Sequence, residues 1–141
     1  MMTFLKTTKH ECLTLKIGPD RKVEWYVDAA HAVHPDMRGH TGVVMTMGAG
    51  AIISMSSKQK CNARSSCEAE LIGVDDAMSK IIWTMRFLEA QDFEVKDCVV
   101  YQDNKSAMLL EKNGRLSAGK RTRHLDIKLF YIVDYVRNDS N

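Results

Sequence analysis

Hydrophobic residues fall into two rhythms along this chain, first a period of two and then a period near 3.6. Val23-Glu24-Trp25-Tyr26-Val27-Asp28 alternates, with Val23, Trp25 and Val27 on one side, and predicts a strand. A polar loop through Pro35 and Gly39 leads to a second strand, Gly42 to Met47. Gly48-Ala49-Gly50 then turns the chain into a third, Ala51 to Ser56. Three strands joined by short loops predict an antiparallel meander. Next the period changes. Leu71, Val74, Met78, Ile81, Met85 and Leu88 form one apolar stripe of a long helix, opened by the capping-box pattern Ser65-x-x-Glu68. A fourth strand, Cys98 to Gln102, ends at Asp103; Asn104 to Lys112 reads as a short helix stopped by Asn113-Gly114. Leu125, Leu129, Ile132, Val133 and Val136 mark a last amphipathic helix. Before all of these, residues 1–20 form a short mixed segment ending in the turn signal Gly18-Pro19-Asp20. A meander followed by a helical crossover to a neighbouring strand is an α/β layer design, with a mixed sheet and flanking helices.

The chain has 141 residues, 45% hydrophobic and 27% charged, which fits one domain and excludes wholesale disorder. No apolar run approaches the roughly 20 residues needed to span a bilayer, so no membrane partner is expected, and the N-terminus lacks a signal peptide's apolar core. The four cysteines form no C-x-x-C pair and read as reduced, semi-buried thiols of an intracellular protein. His31, His34 and His40 with Cys61 fit no common zinc spacing and read as a polar loop. The net charge of +2 says little, but its distribution does more. Lys112 to Lys128 holds six basic residues against one acid, Asp126, leaving −3 on the rest. A basic run of this kind either attracts phosphate or forms a solvated face.

Asp28 and Asp103 each close a predicted strand, and in open α/β sheets sites form outside such ends. Between them lies a helix with two early acids, Glu68 and Glu70, about 200° apart around the axis. Glu68 is the N3 residue that closes the capping box and lies off the stripe. Glu70 lies at the stripe's edge beside Val74, Ala77 and Ile81, turned toward the sheet, and is the better candidate. Three carboxylates at one place repel unless a cation compensates them, and oxygen-only ligands favour Mg²⁺, with Mn²⁺ as a substitute. Two such ions about 4 Å apart suit phosphodiester cleavage.

Tyr26-Val27-Asp28-Ala29-Ala30, Ser65-Ser66-Cys67-Glu68-Ala69-Glu70-Leu71, Tyr101-Gln102-Asp103-Asn104-Lys105-Ser106-Ala107 and Arg121-Thr122-Arg123-His124-Leu125-Asp126-Ile127 occur in a telling order. Together they resemble the ribonuclease H domain of copia-type retrotransposon Pol polyproteins, and the resemblance covers nearly the whole chain. It implies a ribonuclease H-like fold over residues 21–141. It also implies that residues 1–20, with Phe4 to Lys9, are a remnant of the connection to a reverse transcriptase domain, the expected partner in the same polyprotein. The implied activity is endonucleolytic, Mg²⁺-dependent hydrolysis of the RNA strand of RNA–DNA hybrids, in a cytoplasmic virus-like particle or the nucleus. Position by position, Asp28, Glu70 and Asp103 match catalytic, metal-holding acids. Asn104 and Lys105 fall where the family contacts the substrate strand. Arg64, Ser65 and Ser66 precede the helix that carries the glutamate, where phosphate can bind. Lys120, Arg121 and Arg123 supply further phosphate contacts.

The match has departures. Cys67 stands where the family has Thr or Ser. The family also continues into another strand and a helix with a fourth catalytic Asp, and both are expected to be absent from these 141 residues. Asp126 is the substitute to test, and an edge strand left open invites self-association. The competing function is a truncated or domesticated module that grips nucleic acid or protein without cutting. A transposase or integrase core on the same fold uses the order Asp, Asp, Glu, whereas the order here is Asp28, Glu70, Asp103.

Overall fold

In a computed structural model, which describes residues 2–108, the alternating stretch becomes an inner strand of a four-stranded sheet. The elements are α1 (Met2–Thr7), β1 (Lys16–Ile17), β2 (Lys22–Ala30), β3 (His40–Thr46), β4 (Gly48–Ala49), β5 (Ala51–Lys58), α2 (Ser66–Ala90) and β6 (Asp97–Tyr101). The main sheet runs β5-β3-β2-β6, with β5, β3 and β2 antiparallel and β6 parallel to β2. It is the mixed α/β arrangement expected from the sequence, compatible with a ribonuclease H-like fold. Among the described residues, no helix is long and apolar enough to cross a membrane. The last predicted helix and the basic stretch lie outside the described residues, and the Asn104–Lys112 helix lies partly so, with helical residues at 105–108.

Alternation decides which face of the sheet is covered. Val23, Trp25, Val27 and Ala29 of β2 are buried, as are Thr41, Val43 and Met45 of β3. Val23, Trp25, Val27, Val43 and Met45 meet Val74, Ala77, Met78 and Ile81 of α2, while Ala29 packs with Ala69 and Ile72. Each buried Val, Ile or Met side chain contributes roughly 1.5–3 kcal/mol by leaving water. Gly73 lets the helix settle close: a Cβ there would stand 3.2 Å from the Ala29 Cβ. On the opposite face Tyr26 and Tyr101, Cα partners across β2 and β6, stack with centroids 4.9 Å apart. The Tyr101 hydroxyl donates to Glu24 Oε1 at 3.2 Å, a bond that raises its pKa above the usual phenol value.

Both ends of α2 are closed by local chemistry. Ser65 is the N-cap, its Oγ accepting from the Glu68 N–H at 3.2 Å. The Glu68 carboxylate turns back to the Arg64 N–H at 2.8 Å rather than to the cap residue itself. At the C-terminus the Phe93 N–H reaches the Leu88 carbonyl and the Asp92 N–H the Glu89 carbonyl. This is a Schellman pair with Asp92 at φ 54° in the position glycine favours.

Two expectations change. Gly48-Ala49-Gly50 is more than a turn, because Gly48 and Ala49 pair with Ile17 and Lys16 as a small two-stranded sheet. The pairing needs glycine: Gly48 has φ 137°, and a Cβ there would lie 2.5 Å from the Gly18 N. Of the four cysteines, Cys67 and Cys98 are half-buried as expected, but Cys12 and Cys61 are exposed; no disulfide joins any of them among the described residues.

Candidate metal centre

β6 runs parallel to β2, so both strands deliver their C-terminal residues to the same end of the sheet. The last paired residues are Tyr26 and Tyr101. Asp28 and Asp103 each follow two positions later, which brings the two aspartates side by side. β2 continues to Ala30, past the end of its pairing with β6, leaving the Ala29 N–H free for another acceptor. Glu70, one turn into α2, fills that place: its Oε1 accepts from the Ala29 N–H at 3.3 Å. As a result one carboxylate oxygen from each of Asp28, Glu70 and Asp103 lies within 4.8 Å of the others. The three acids read from the sequence as one cluster are therefore brought together.

Their environments differ. Asp28 and Asp103 are exposed, whereas Glu70 is 5% exposed. Burial pushes the Glu70 carboxyl above the ordinary carboxylate range, the Ala29 N–H pulls it back, and Asp103 and Asp28 push it further up. The buried Gln102 amide lies near enough to favour the ionised form, but neither of its polar atoms completes a hydrogen bond of good geometry. Glu70 Oε2 is also buried and has no protein partner among the described residues. A buried oxygen without a donor, facing two more carboxylates, matches what a hard divalent cation requires: several oxygen ligands converging on one point, with open solvent on the Asp28 and Asp103 side.

Without a cation, Glu70 makes the fold pH-sensitive with a definite sign. Its folded pKa is raised, so the stability linked to protonated Glu70 is fully present below the unfolded value of about 4.3 and is lost as pH rises through the folded value. Glu70→Gln, which keeps an acceptor for Ala29 and removes the charge, is therefore expected to be more stable than the parent at pH 7 in EDTA. The advantage should shrink toward pH 4. Urea midpoints measured across that range check it, and a variant less stable than the parent at pH 7 would contradict the assigned environment.

Other site candidates sit as follows. Glu68, read as lying off the stripe, is buried all the same (7% exposed), because its carboxylate folds onto the chain before the helix instead of into water. Arg64, Ser65 and Ser66 are exposed at the start of α2, with the Ser65 hydroxyl engaged as the cap. Asn104 Oδ1 accepts from the N–H groups of Ser106 and Ala107, a capping role, and Lys105 is exposed. Lys120, Arg121, Arg123 and Asp126 lie outside the described residues. His34 and His40 share a hydrogen bond at 3.0 Å, His40 continues to Ser56 Oγ at 2.7 Å, and His31 Nε2 is 3.0 Å from the Ala63 carbonyl. Among the described residues the histidines and Cys61 form no metal-ligand cluster. The Ala29 N–H and the buried amide of Gln102 escaped the sequence reading, since nothing local marks a backbone donor freed by a strand that stops early. An open groove on the uncovered sheet face, bordered by Tyr26, Val44, Ser56 and Tyr101, ends at Asp28 and Asp103.

No protein-family model matches the chain. It is 36% identical, over 141 aligned residues, to the retrovirus-related Pol polyprotein from transposon TNT 1-94 of Nicotiana tabacum. The alignment takes in 99% of this chain but 10% of the relative, so the chain spans about a tenth of that relative's length. That likeness, running from one end of the sequence to the other, marks the chain as related to a region of a retrotransposon Pol polyprotein.

Proposed function

We propose that this chain is a metal-dependent nuclease of the ribonuclease H kind, hydrolysing the RNA strand of RNA–DNA hybrids during retroelement reverse transcription. The observation that carries the reading is the meeting of Asp28, Glu70 and Asp103 within 4.8 Å at the shared end of two parallel strands. The similarity to a Pol polyprotein supplies the context in which such hybrids arise. Asp28, Glu70 and Asp103 would hold Mg²⁺, or Mn²⁺ in its place, with two ions expected. The chemistry a divalent pair supplies in such a site is activation of water and neutralisation of charge at the leaving oxygen.

The chain's own residues divide the remaining work. Glu70 is fixed from below by the Ala29 N–H and excluded from solvent. Asp28 and Asp103 stand at the open side, where a phosphodiester can approach. Arg64, Ser65 and Ser66, then Asn104 and Lys105, flank the centre on its two adjoining elements and are proposed to track the hybrid's backbone. The basic residues Lys120, Arg121 and Arg123 are proposed phosphate contacts as well. A reverse transcriptase domain of the same polyprotein is the proposed protein partner, in a virus-like particle or the nucleus.

The direct test is an RNA–DNA hybrid with an end-labelled RNA strand, set beside the same RNA alone and a DNA duplex of the same sequence. Each is incubated with the chain in Mg²⁺, Mn²⁺ or EDTA. Metal-dependent shortening confined to the hybrid is expected. Binding of the hybrid with no cleavage in either metal would replace the enzyme by a nucleic-acid-binding module.

A further inference from the structure

Gln59 stands one residue past β5 and is 1% exposed. Its Nε2 donates twice, to Thr41 Oγ1 at 3.0 Å and to the Ala69 carbonyl at 2.9 Å. A carbonyl only accepts, so the amide's orientation is fixed and its Oε1 lies toward Gly39, with no partner among the described residues. Glycine at 39 makes the room: a Cβ there would lie 2.3 Å from that oxygen. Burying an amide with one end unsatisfied is costly, and a position that served packing alone is better filled by Leu or Met.

What the two donors reach is specific. Ala69 directly precedes Glu70 in the first turns of α2. Thr41 Oγ1 in turn donates to Asp76 Oδ2 at 3.3 Å, two turns further along the same helix. Between these ties lies Gly73, where a Cβ would stand 3.2 Å from the Ala29 Cβ and 3.5 Å from the Val27 Cγ1. Glu70 itself grips the Ala29 N–H. Gln59 and the sheet thus hold the first three turns of α2 at Ala69, Glu70 and Asp76.

We propose that Gln59 is a positioning residue for the carboxylate cluster: its two hydrogen bonds set where the first turns of α2 rest on the sheet, and so hold Glu70 against the Ala29 N–H between Asp28 and Asp103. The geometry stands by itself, while the consequence for metal affinity rests on the metal-centre reading proposed above. Outer partners that orient metal-holding side chains commonly change affinity by about 10–100-fold when removed.

The test compares Gln59→Met, which keeps length and loses both donors, with Ile81→Val, which trims the core under α2 about three turns beyond Ala69. In the metal-free 141-residue chain, amide hydrogen exchange at Ala29 is expected to speed up about tenfold in Gln59→Met. The rise is judged against Trp25 on the same strand, which reports only on global opening, and Ile81→Val should move both amides alike. Calorimetric titration with Mn²⁺ should show about tenfold weaker binding in Gln59→Met and a change under about twofold in Ile81→Val. Should Gln59→Met not fold, Thr41→Val, which deletes one of the two acceptors, is read the same way and should move Ala29 by about threefold. Ala29 exchange indistinguishable from the Ile81→Val pattern overturns the positioning role. A parent chain that takes up no Mn²⁺ overturns the metal-centre reading instead, and Ala29 exchange then decides the role of Gln59 alone.

Discussion

Asp103→Asn is expected to lower metal-dependent cleavage of hybrid RNA by roughly a thousandfold or more, the scale seen when a group stabilising the transition state is deleted. Its stability in EDTA should hardly move. The two expectations differ because Asp103 is exposed and follows the end of β6, so it contributes little to the core. Its worth lies in being one of three carboxylates that converge within 4.8 Å. Asn keeps the shape and one acceptor oxygen but carries no charge, and a hard divalent cation is held chiefly by charge. Asp28→Asn should behave alike, since Asp28 occupies the matching place two residues beyond the paired tyrosines. A further readout separates metal capture from chemistry. Mn²⁺ at about a hundred times its dissociation constant should stabilise the parent by roughly 2.7 kcal/mol, and most of that increment should vanish in either variant. Unchanged cleavage in Asp103→Asn would remove this residue from the site.

The largest effect on stability is expected at Trp25. This residue is fully buried in the middle of β2, with Met45 of β3 and Val100 of β6 as its Cα partners on either side. It belongs to the cluster that includes Ala77, Met78 and Ile81 of α2. Trp25→Ala should cost about 3–5 kcal/mol through lost burial and the cavity left behind. Since domains of this kind have only about 5–15 kcal/mol in total, the variant should be partly unfolded at 37 °C. Trp25→Phe makes a sharper comparison. The indole Nε1 has no hydrogen-bond partner among the described residues, so Phe surrenders volume without breaking a bond. Its cost should be well under half that of Ala, about 1–2 kcal/mol. Urea unfolding followed by far-ultraviolet circular dichroism measures both. A Trp25→Ala chain within about 1 kcal/mol of the parent would mean that the core lies elsewhere.

The local features of this protein were legible from neighbouring residues because their causes are local. Alternation in Val23 to Asp28 specifies a strand with one buried side, since side chains of a pleated strand alternate between faces. The Ser65 and Glu68 pair specifies where α2 begins, because the donors it satisfies lie within the same turn. The stripe through Val74, Met78 and Ile81 put Glu70 on the sheet side by simple helical geometry. What the sequence could not set was register and neighbour choice. That β6 lies beside β2 with Tyr101 opposite Tyr26, so that Asp28 and Asp103 share one end, depends on packing α2 across the sheet. The pairing of Lys16 and Ile17 with Ala49 and Gly48 likewise joins segments about thirty residues apart, through backbone bonds to which side-chain pattern is blind. Glu68 is buried although periodicity placed it off the stripe, because its carboxylate turns back onto the Arg64 N–H instead of into water. Gln59 shows the same limit: a lone polar residue after a strand acquires its two acceptors only when β3 and α2 arrive from elsewhere in the chain.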